Sequence, residues 1–146
     1  MTDTQIAYVA GIFDGEGCIF IHEKNPRKRG KSTNFELEIY VVNTNMPMLQ
    51  FVQRVCGGNI SKNGLRIHLR DGRLGRQSWR WAAQSRKAAD LLRQLLPYLI
   101  VKYDQAVLAL QFAETKVNRQ GRGRLKVEDL ELRRSLAEQI KALKRV

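Results

Sequence analysis

The 146-residue sequence contains little cysteine and no long apolar run. Its two cysteines, Cys18 and Cys56, lie far apart and form no CxxC pair, which indicates reduced thiols rather than a disulfide framework. No apolar stretch is long enough to cross a bilayer, and the residues before the first apolar segment are acidic rather than basic. We therefore expect an intracellular protein, in the cytoplasm, nucleoid or an organelle, with no membrane partner.

Acidic residues are also scarce. The chain has 26 Lys and Arg against 14 Asp and Glu, which gives a net charge of +12 and a pI near 10.2. Such an excess on a small chain predicts a nucleic-acid partner. An acidic membrane surface would instead require a basic amphipathic helix with exposed large apolar residues, and none is clear in the sequence. General RNA binding stays open on charge alone.

Hydrophobic periodicity divides the chain into helices and strands. It predicts helices at residues 4–13, 46–56, 85–96, 103–115 and 127–143, and strands at residues 18–24, 35–42, 65–70 and 78–84. Residues 59–64 fit a strand or a turn. Ser85 is expected to cap the third helix. Because strand pairs alternate with helices, we predict an α+β fold in which an antiparallel four-stranded sheet packs on helices. We expect a single domain over residues 1–146, with the helix at 126–145 as an extension of the core.

The predicted sheet has one apolar face and one polar face. Phe35, Leu37, Ile39 and Val41 alternate with polar residues, and Trp79 and Trp81 share the apolar side. A polar sheet face can read base edges in the major groove, whereas each single residue could equally be a solvated side chain. In so basic a chain we favour DNA contact by this face and by the loops at 27–31, 73–76 and 119–124. The individual candidates are His22, Lys24, Arg27, Lys28, Arg29, Lys31, Glu36, Glu38, Tyr40, Arg66, His68, Arg70, Arg73, Arg76, Arg80 and Gln84.

The first helix carries a strip of small residues that leads to two acids. Gly11 and Gly15 are four residues apart, with Ala7 and Ala10 nearby, so another helix could approach closely. If two copies pair there, each helix end presents the sequence DGE. Carboxylates and a glycine carbonyl are hard oxygen ligands that suit Mg²⁺, and two such sites suit cleavage of both DNA strands. Alternatively, the strip packs on the chain's own helices and the acids are polar helix-end groups.

The segment that contains this strip also has a family resemblance. VAGIFDGEG (residues 9–17) resembles the motif of the LAGLIDADG homing endonucleases. Two later blocks are similar to further family segments in the same order, NTNMPMLQFVQRVCGG (43–58) and LLPYLIVKYDQA (95–106). A single copy of the motif implies the homodimeric branch of the family, which acts on palindromic or near-palindromic DNA sites.

The resemblance implies roles for individual residues. Glu16 takes the place of the metal-binding acid and Gly15 offers its backbone carbonyl to the metal. Asn43 is expected to order water near the scissile phosphate, and Lys102 to lie near that phosphate. The implied dimer interface comprises Ala7, Ala10, Gly11 and Asp14. The family often has a basic residue near the start of the helix after Asn43, but TNMP (44–47) contains none, so that role is missing or comes from elsewhere.

The expected function is that of a Mg²⁺-dependent, site-specific double-strand DNA endonuclease involved in intron homing, with a second copy as partner and no small-molecule substrate. Mn²⁺ or Ca²⁺ could occupy the same site. The alternatives are a non-cleaving DNA-binding regulator and an RNA maturase on the same fold.

Overall fold

The structure, a computed structural model, describes residues 1–24, 33–64, 72–117 and 125–144. Five α-helices and four strands alternate along these residues, with a short 3₁₀-helix at Leu96–Tyr98. In chain order the elements are α1 (Asp3–Glu16), β1 (Gly17–Lys24), β2 (Asn34–Asn43), α2 (Met46–Cys56), β3 (Asn59–Lys62), β4 (Trp79–Gln84), α3 (Ser85–Leu95), α4 (Tyr103–Val117) and α5 (Val127–Leu143).

The strands form one antiparallel sheet in the order β1-β2-β4-β3. This confirms the predicted α+β fold with a four-stranded antiparallel sheet. The stretch that the sequence left undecided supplies β3, whereas the strand predicted at residues 65–70 lies outside the described residues.

The hydrophobic core lies between the apolar face of the sheet and the helices. The alternate β2 residues Phe35, Leu37, Ile39 and Val41 are all buried, as their spacing predicted. Trp81 of β4 is also buried, and its Nε1 donates a hydrogen bond to the Gly57 carbonyl at 2.7 Å. No helix in the described ranges is long and apolar enough to cross a membrane.

The starts of α1 and α3 are capped differently. Helix α1 begins with a capping box, in which Thr2 and Gln5 exchange side-chain to backbone hydrogen bonds. The predicted cap by Ser85 is wrong, because Gln84 occupies the cap position of α3 and makes no side-chain cap bond. Ser85 has a φ of 53°, and its hydroxyl bonds to Glu36 at 3.1 Å instead.

Candidate active site and nucleic-acid interface

Helix α1 leads directly into strand β1 at the sequence DGEG. Glu16 is the last helical residue and Gly17 is the first residue of the strand. A Cβ at position 17 would overlap the ring and the carbonyl of Phe13, so glycine is required for the helix to become a strand without a loop. The helix is therefore longer than the predicted 4–13, and the two acids lie within its last turn.

The first acid, Asp14, binds the chain's own loop. Its carboxylate accepts hydrogen bonds from the backbone N–H groups of Ile100, at 2.7 Å, and Lys102, at 3.0 Å. These N–H groups precede α4 and have no acceptor within that helix. The Lys102 amine in turn donates to the backbone carbonyl of Asp14. The side chain of Asp14 thus fastens the segment before α4 to the end of α1, and its place in a dimer interface stays a prediction.

The second acid, Glu16, has no such partner. Its side chain is exposed and makes no hydrogen bond or ion pair with any residue that the structure describes. Gly15 beside it is also exposed, with no atom within 4 Å of the position a Cβ would take. The end of α1 thus presents one open carboxylate next to bare backbone.

Asn43 and Lys102 lie at the same end of the sheet as Glu16. Gly17 pairs with Val41, so Asn43 extends two residues beyond the start of β1, on the side where α1 ends. The Oδ1 atom of Asn43 accepts the N–H of Asn45 at 2.9 Å, which is the strand-end turn role expected of asparagine. Its amide nitrogen has no described partner, so the side chain is held by the turn and keeps a free donor.

The Lys102 amine lies in a partly buried, mixed electrostatic environment. Burial lowers its pKa, while Asp14, Cys18 and Glu16 act in the opposite direction. The amine also donates to the carbonyl of Asp14, two residues before Glu16, which places it at the end of α1. The three residues predicted to be catalytic are therefore brought to one corner of the fold.

The donors at this corner fit a hard divalent cation only in part. No group of three or more His, Cys, Asp or Glu side chains that could hold a metal occurs within the described ranges. Mg²⁺ is usually held by one or two carboxylates, with water and substrate phosphates completing about six oxygen ligands. The Glu16 carboxylate and the Gly15 carbonyl suit that kind of shared site rather than a cage built by one chain.

Lys144, which has no predicted role, lies beside this corner. Lys144 follows the last residue of α5, and its amine is 3.2 Å from the Sγ of Cys18 and 4.8 Å from the ring centroid of Phe20. Cys18 is two residues after Glu16. Nothing in the local sequence could place Lys144 there, because its position depends on how α5 packs against β1.

The strip of small residues on α1 is exposed, with one exception. Ala7, Gly11 and Gly15 face solvent, and a Cβ at Gly11 would meet no atom within 4 Å. The alternative that these residues pack on the chain's own helices therefore does not hold. Ala10, however, is 0 % exposed, because its side of the helix faces the core. Including Ala10 in the dimer interface was wrong.

The polar sheet face is organised around one buried carboxylate. Glu38 is 3 % exposed and accepts two hydrogen bonds from Arg80, at 3.0 and 2.8 Å, and one from Gln84 at 3.0 Å. His22 completes the group at 2.6 Å. Burial would raise the pKa of Glu38, but the bonds from Arg80, Gln84 and His22 outweigh it and lower the pKa to about 2. Predicted as a DNA contact, Glu38 is thus covered by its neighbours and positions them instead.

Other predicted contacts on this face are also paired. Lys24 forms an ion pair with Glu36, and the Arg80 guanidinium lies 4.1 Å from the ring centroid of Tyr40. Arg73 and Arg76 are exposed in the connection between β3 and β4. The remaining candidates lie outside the described residues, namely Arg27, Lys28, Arg29, Lys31, Arg66, His68, Arg70 and the loop at 119–124.

No protein-family model and no curated protein sequence matches the chain. Solved structures do match it over almost its whole length. The homing endonuclease I-CvuI, in complex with its target in the presence of Ca, is 22 % identical, with a TM-score of 0.72 over 97 % of this chain and 82 % of that chain. The archaeal intron-encoded homing endonuclease I-Vdi141I, complexed with DNA, is 17 % identical, with a TM-score of 0.75 over 97 % of this chain and 84 % of that one.

A third structure relates the chain to part of a longer protein. I-SmaMI, bound to an uncleaved DNA target in the presence of calcium ions, is 19 % identical, with a TM-score of 0.69 over 94 % of this chain and 45 % of that chain. At these identities the likeness establishes the fold. The chain therefore has the LAGLIDADG homing endonuclease fold that the sequence motif predicted.

Proposed function

We propose that this chain is a site-specific double-strand DNA endonuclease that acts as a homodimer with Mg²⁺. The observation that carries the proposal is the convergence of Glu16, Asn43 and Lys102 at the corner where α1 ends. Glu16 is open to solvent while the acid two residues before it, Asp14, is fully engaged. An open carboxylate beside an amine suits a site that receives a metal ion and a phosphate.

The homodimer is supported by the surface beside that corner. The exposed strip of α1 adjoins the segment that Asp14 holds, where Ile100 is 86 % exposed and Val101 is 71 % exposed. Large exposed aliphatic side chains next to bare helix backbone favour burial in a partner. Pairing through this surface would place the two Glu16 carboxylates near each other. The 45 % coverage of I-SmaMI is consistent with two such units in one longer chain.

The roles of the residues follow from their surroundings. Glu16 and the Gly15 carbonyl would hold Mg²⁺, which supplies an activated water and charge stabilisation when bound. Lys102, fixed by Asp14, would hold positive charge against the phosphate where negative charge develops. Asn43, fixed by its turn bond to Asn45, would orient water through its free amide nitrogen.

DNA binding is supported by charge and by the organised sheet face. A net charge of +12 favours phosphate contacts, so affinity should fall steeply with salt. Glu38 fixes Arg80, Gln84 and His22 in one array across β1, β2 and β4. Side chains held in this way lose little further freedom on binding, which favours sequence readout. The exposed Arg73 and Arg76, and the basic loops predicted from the sequence, would add phosphate contacts.

The deciding experiment is cleavage selection on a randomised, palindrome-enriched DNA library, with Mg²⁺ or with EDTA. We expect the wild type to cut a discrete symmetric site only with Mg²⁺. Glu16→Gln should bind that site without cutting it. Glu131→Gln is the matched control, because Glu131 is an exposed carboxylate on α5 and its loss should leave cutting intact.

Other outcomes of the selection separate the alternatives. Specific binding without cutting in Mg²⁺ would favour the non-cleaving regulator, which is also favoured by the lack of Lys and Arg at residues 44–47. Binding to structured intron RNA without a DNA preference would favour the maturase.

A further inference from the structure

The proposed site lacks one cation at its expected place. TNMP, at the start of α2, contains no Lys or Arg. The Lys102 amine lies near the site, but it also donates to the Asp14 carbonyl. A phosphodiester already carries one negative charge and gains a second as the nucleophile adds, and this charge is better stabilised by more than one positive group. A second amine or guanidinium from another part of the described chain could supply that charge.

Helix α5 brings Lys144 to the start of β1, next to the end of α1. Leu136, Ala137 and Ile140 are buried and anchor the helix. Arg134 binds Glu23 near the far end of β1, with its Nε at 2.9 Å from the carboxylate. The helix thus follows β1 back toward Glu16 and ends at Leu143, so that Lys144 lies over the first residues of the strand.

The Lys144 amine is held without being neutralised. Its contacts are a thiol, Cys18 at 3.2 Å, and the face of the Phe20 ring at 4.8 Å. Among the described residues no carboxylate lies within salt-bridge distance of it, whereas Lys24 and Lys141 each pair with a glutamate. Lys144 is exposed, and a cation placed over an aromatic ring is held by the ring while it keeps its charge.

Lys144 also lies close in the fold to the other residues of the proposed site. Cys18 precedes Phe20 on the polar sheet face and follows Glu16 by two residues. Burial is the main cause of the lowered pKa of Lys102, and the positive charge of Lys144 adds only a small contribution in the same direction. Two amines from different helices, α5 and the start of α4, therefore approach the same corner.

We propose that Lys144 is the second cation of the active site and contacts the scissile phosphate, in the role that residues 44–47 cannot fill. This inference rests on the proposed endonuclease function. The opposing interpretation is that Lys144 only interacts with the carbonyl end of α5, as lysines near helix ends often do. Its amine is directed to β1 rather than confined to the helix end, which favours the catalytic role.

The test compares Lys144→Met, Lys144→Arg and the matched control Lys141→Met, which lies one turn earlier on α5 and pairs with Glu138. Binding is measured in Ca²⁺, single-turnover cutting in Mg²⁺, and stability by thermal unfolding. We expect Lys144→Met to cut about 10- to 100-fold more slowly, since removing one group that stabilises transition-state charge has effects of that order or larger. Its Kd should change less than about 5-fold, because one phosphate contact among many is lost.

The variants keep the two hypotheses separate. Lys144→Arg should restore most of the cutting rate, and Lys141→Met should match the wild type. Wild-type cutting by Lys144→Met, or an equal loss in binding and cutting, would overturn the role of Lys144 alone. A wild type that cuts no site would overturn the endonuclease function and this inference with it.

Discussion

The carboxylate at the end of α1 and the carboxylate in the middle of the polar sheet face have opposite surroundings. Glu38 is buried and accepts hydrogen bonds from groups on three side chains, whereas Glu16 is exposed and has no described partner. A carboxylate whose acceptor sites are filled stabilises the fold and orients its neighbours. One whose sites are left open adds little to stability and remains available to a ligand. The two acids should therefore respond to the same substitution in different ways.

The largest expected effect is on cutting by Glu16→Gln. Loss of the charged ligand should reduce the single-turnover cutting rate by more than about 100-fold, an effect typical of removing one essential electrostatic group. Because Glu16 has no described partner to lose, the thermal stability of the Glu16→Gln protein should match that of the wild type. The rate is measured on the selected site in Mg²⁺, with unfolding followed by circular dichroism. A destabilised Glu16→Gln chain would mean that the open carboxylate is engaged after all.

The next effect concerns assembly through α1. Gly11→Leu fits the isolated chain, since nothing lies within 4 Å of a Cβ there, and leucine has a higher helix propensity than glycine. In a paired helix the same side chain would separate the two backbones. We expect a monomer of unchanged fold that no longer cuts both strands, measured by sedimentation equilibrium at micromolar concentration. Gly11→Ala, the smaller change, should remain dimeric. A dimeric Gly11→Leu protein would place the interface elsewhere.

Glu38→Gln should lower the free energy of unfolding rather than the cutting rate. The substitution leaves Arg80 without its charged acceptor in a partly buried position, at a cost of about 1–3 kcal/mol in the free energy of unfolding. Urea unfolding at pH 7 measures this loss. Cutting per bound complex should stay near the wild-type rate. Selection on the randomised library would then show relaxed base preference if Glu38 positions the reading residues, and an unchanged preference would contradict that role.

The smallest expected effect is the pH dependence of the contribution that Glu38 makes to the free energy of unfolding. The pKa of Glu38 is lowered from 4.5 to about 2 in the folded chain, so its contribution to stability is complete above the ordinary pKa. That contribution is lost as the pH falls from about 4.5 through about 2, because the folded state must then take up a proton against its hydrogen bonds. The stability difference between the wild type and Glu38→Gln should be constant from pH 7 to pH 5 and shrink below that. A difference that persists to pH 2 would contradict the assignment.

The sequence predicted elements well where the pattern was long and regular. The strict alternation around Phe35–Val41 placed the right residues in the core, and the boundaries predicted for α5 match the structure. The short strand β3 cannot be distinguished from a turn by its sequence, because it has four residues and one aliphatic side chain, Ile60. The predicted helix at residues 4–13 ended too early: α1 continues to Glu16, and Asp14 in its last turn is fastened to residues 100–102. That bond is tertiary and leaves no trace in local periodicity.

The candidate site was predictable in its members but not in their surroundings. The family resemblance indicated Glu16, Asn43 and Lys102, and the structure brings them to one corner; their roles stay predictions. The sequence could not tell which acid was engaged, since Asp14 and Glu16 are chemically similar and differ only in what lies beside them. It also could not show that Ala10 faces the core or that Lys144, just after the end of α5, contacts Cys18. Each of these facts depends on packing between segments distant in sequence.

The direct junction at Gly17 has a consequence for fidelity in the proposed enzyme. Because the helix becomes the strand without an intervening loop, we expect a displacement of β1 on bound DNA to displace the acid at position 16 as well. On a mismatched site, a shift of the strand would therefore also shift the carboxylate. A displacement of about 1 Å at a reacting centre can lower the rate about 100-fold. Mismatched DNA would then be bound more weakly and also cut more slowly once bound, without a separate conformational step. Retargeting the protein by altering β1 would carry the same coupling, so new specificities would tend to arrive with slower cutting.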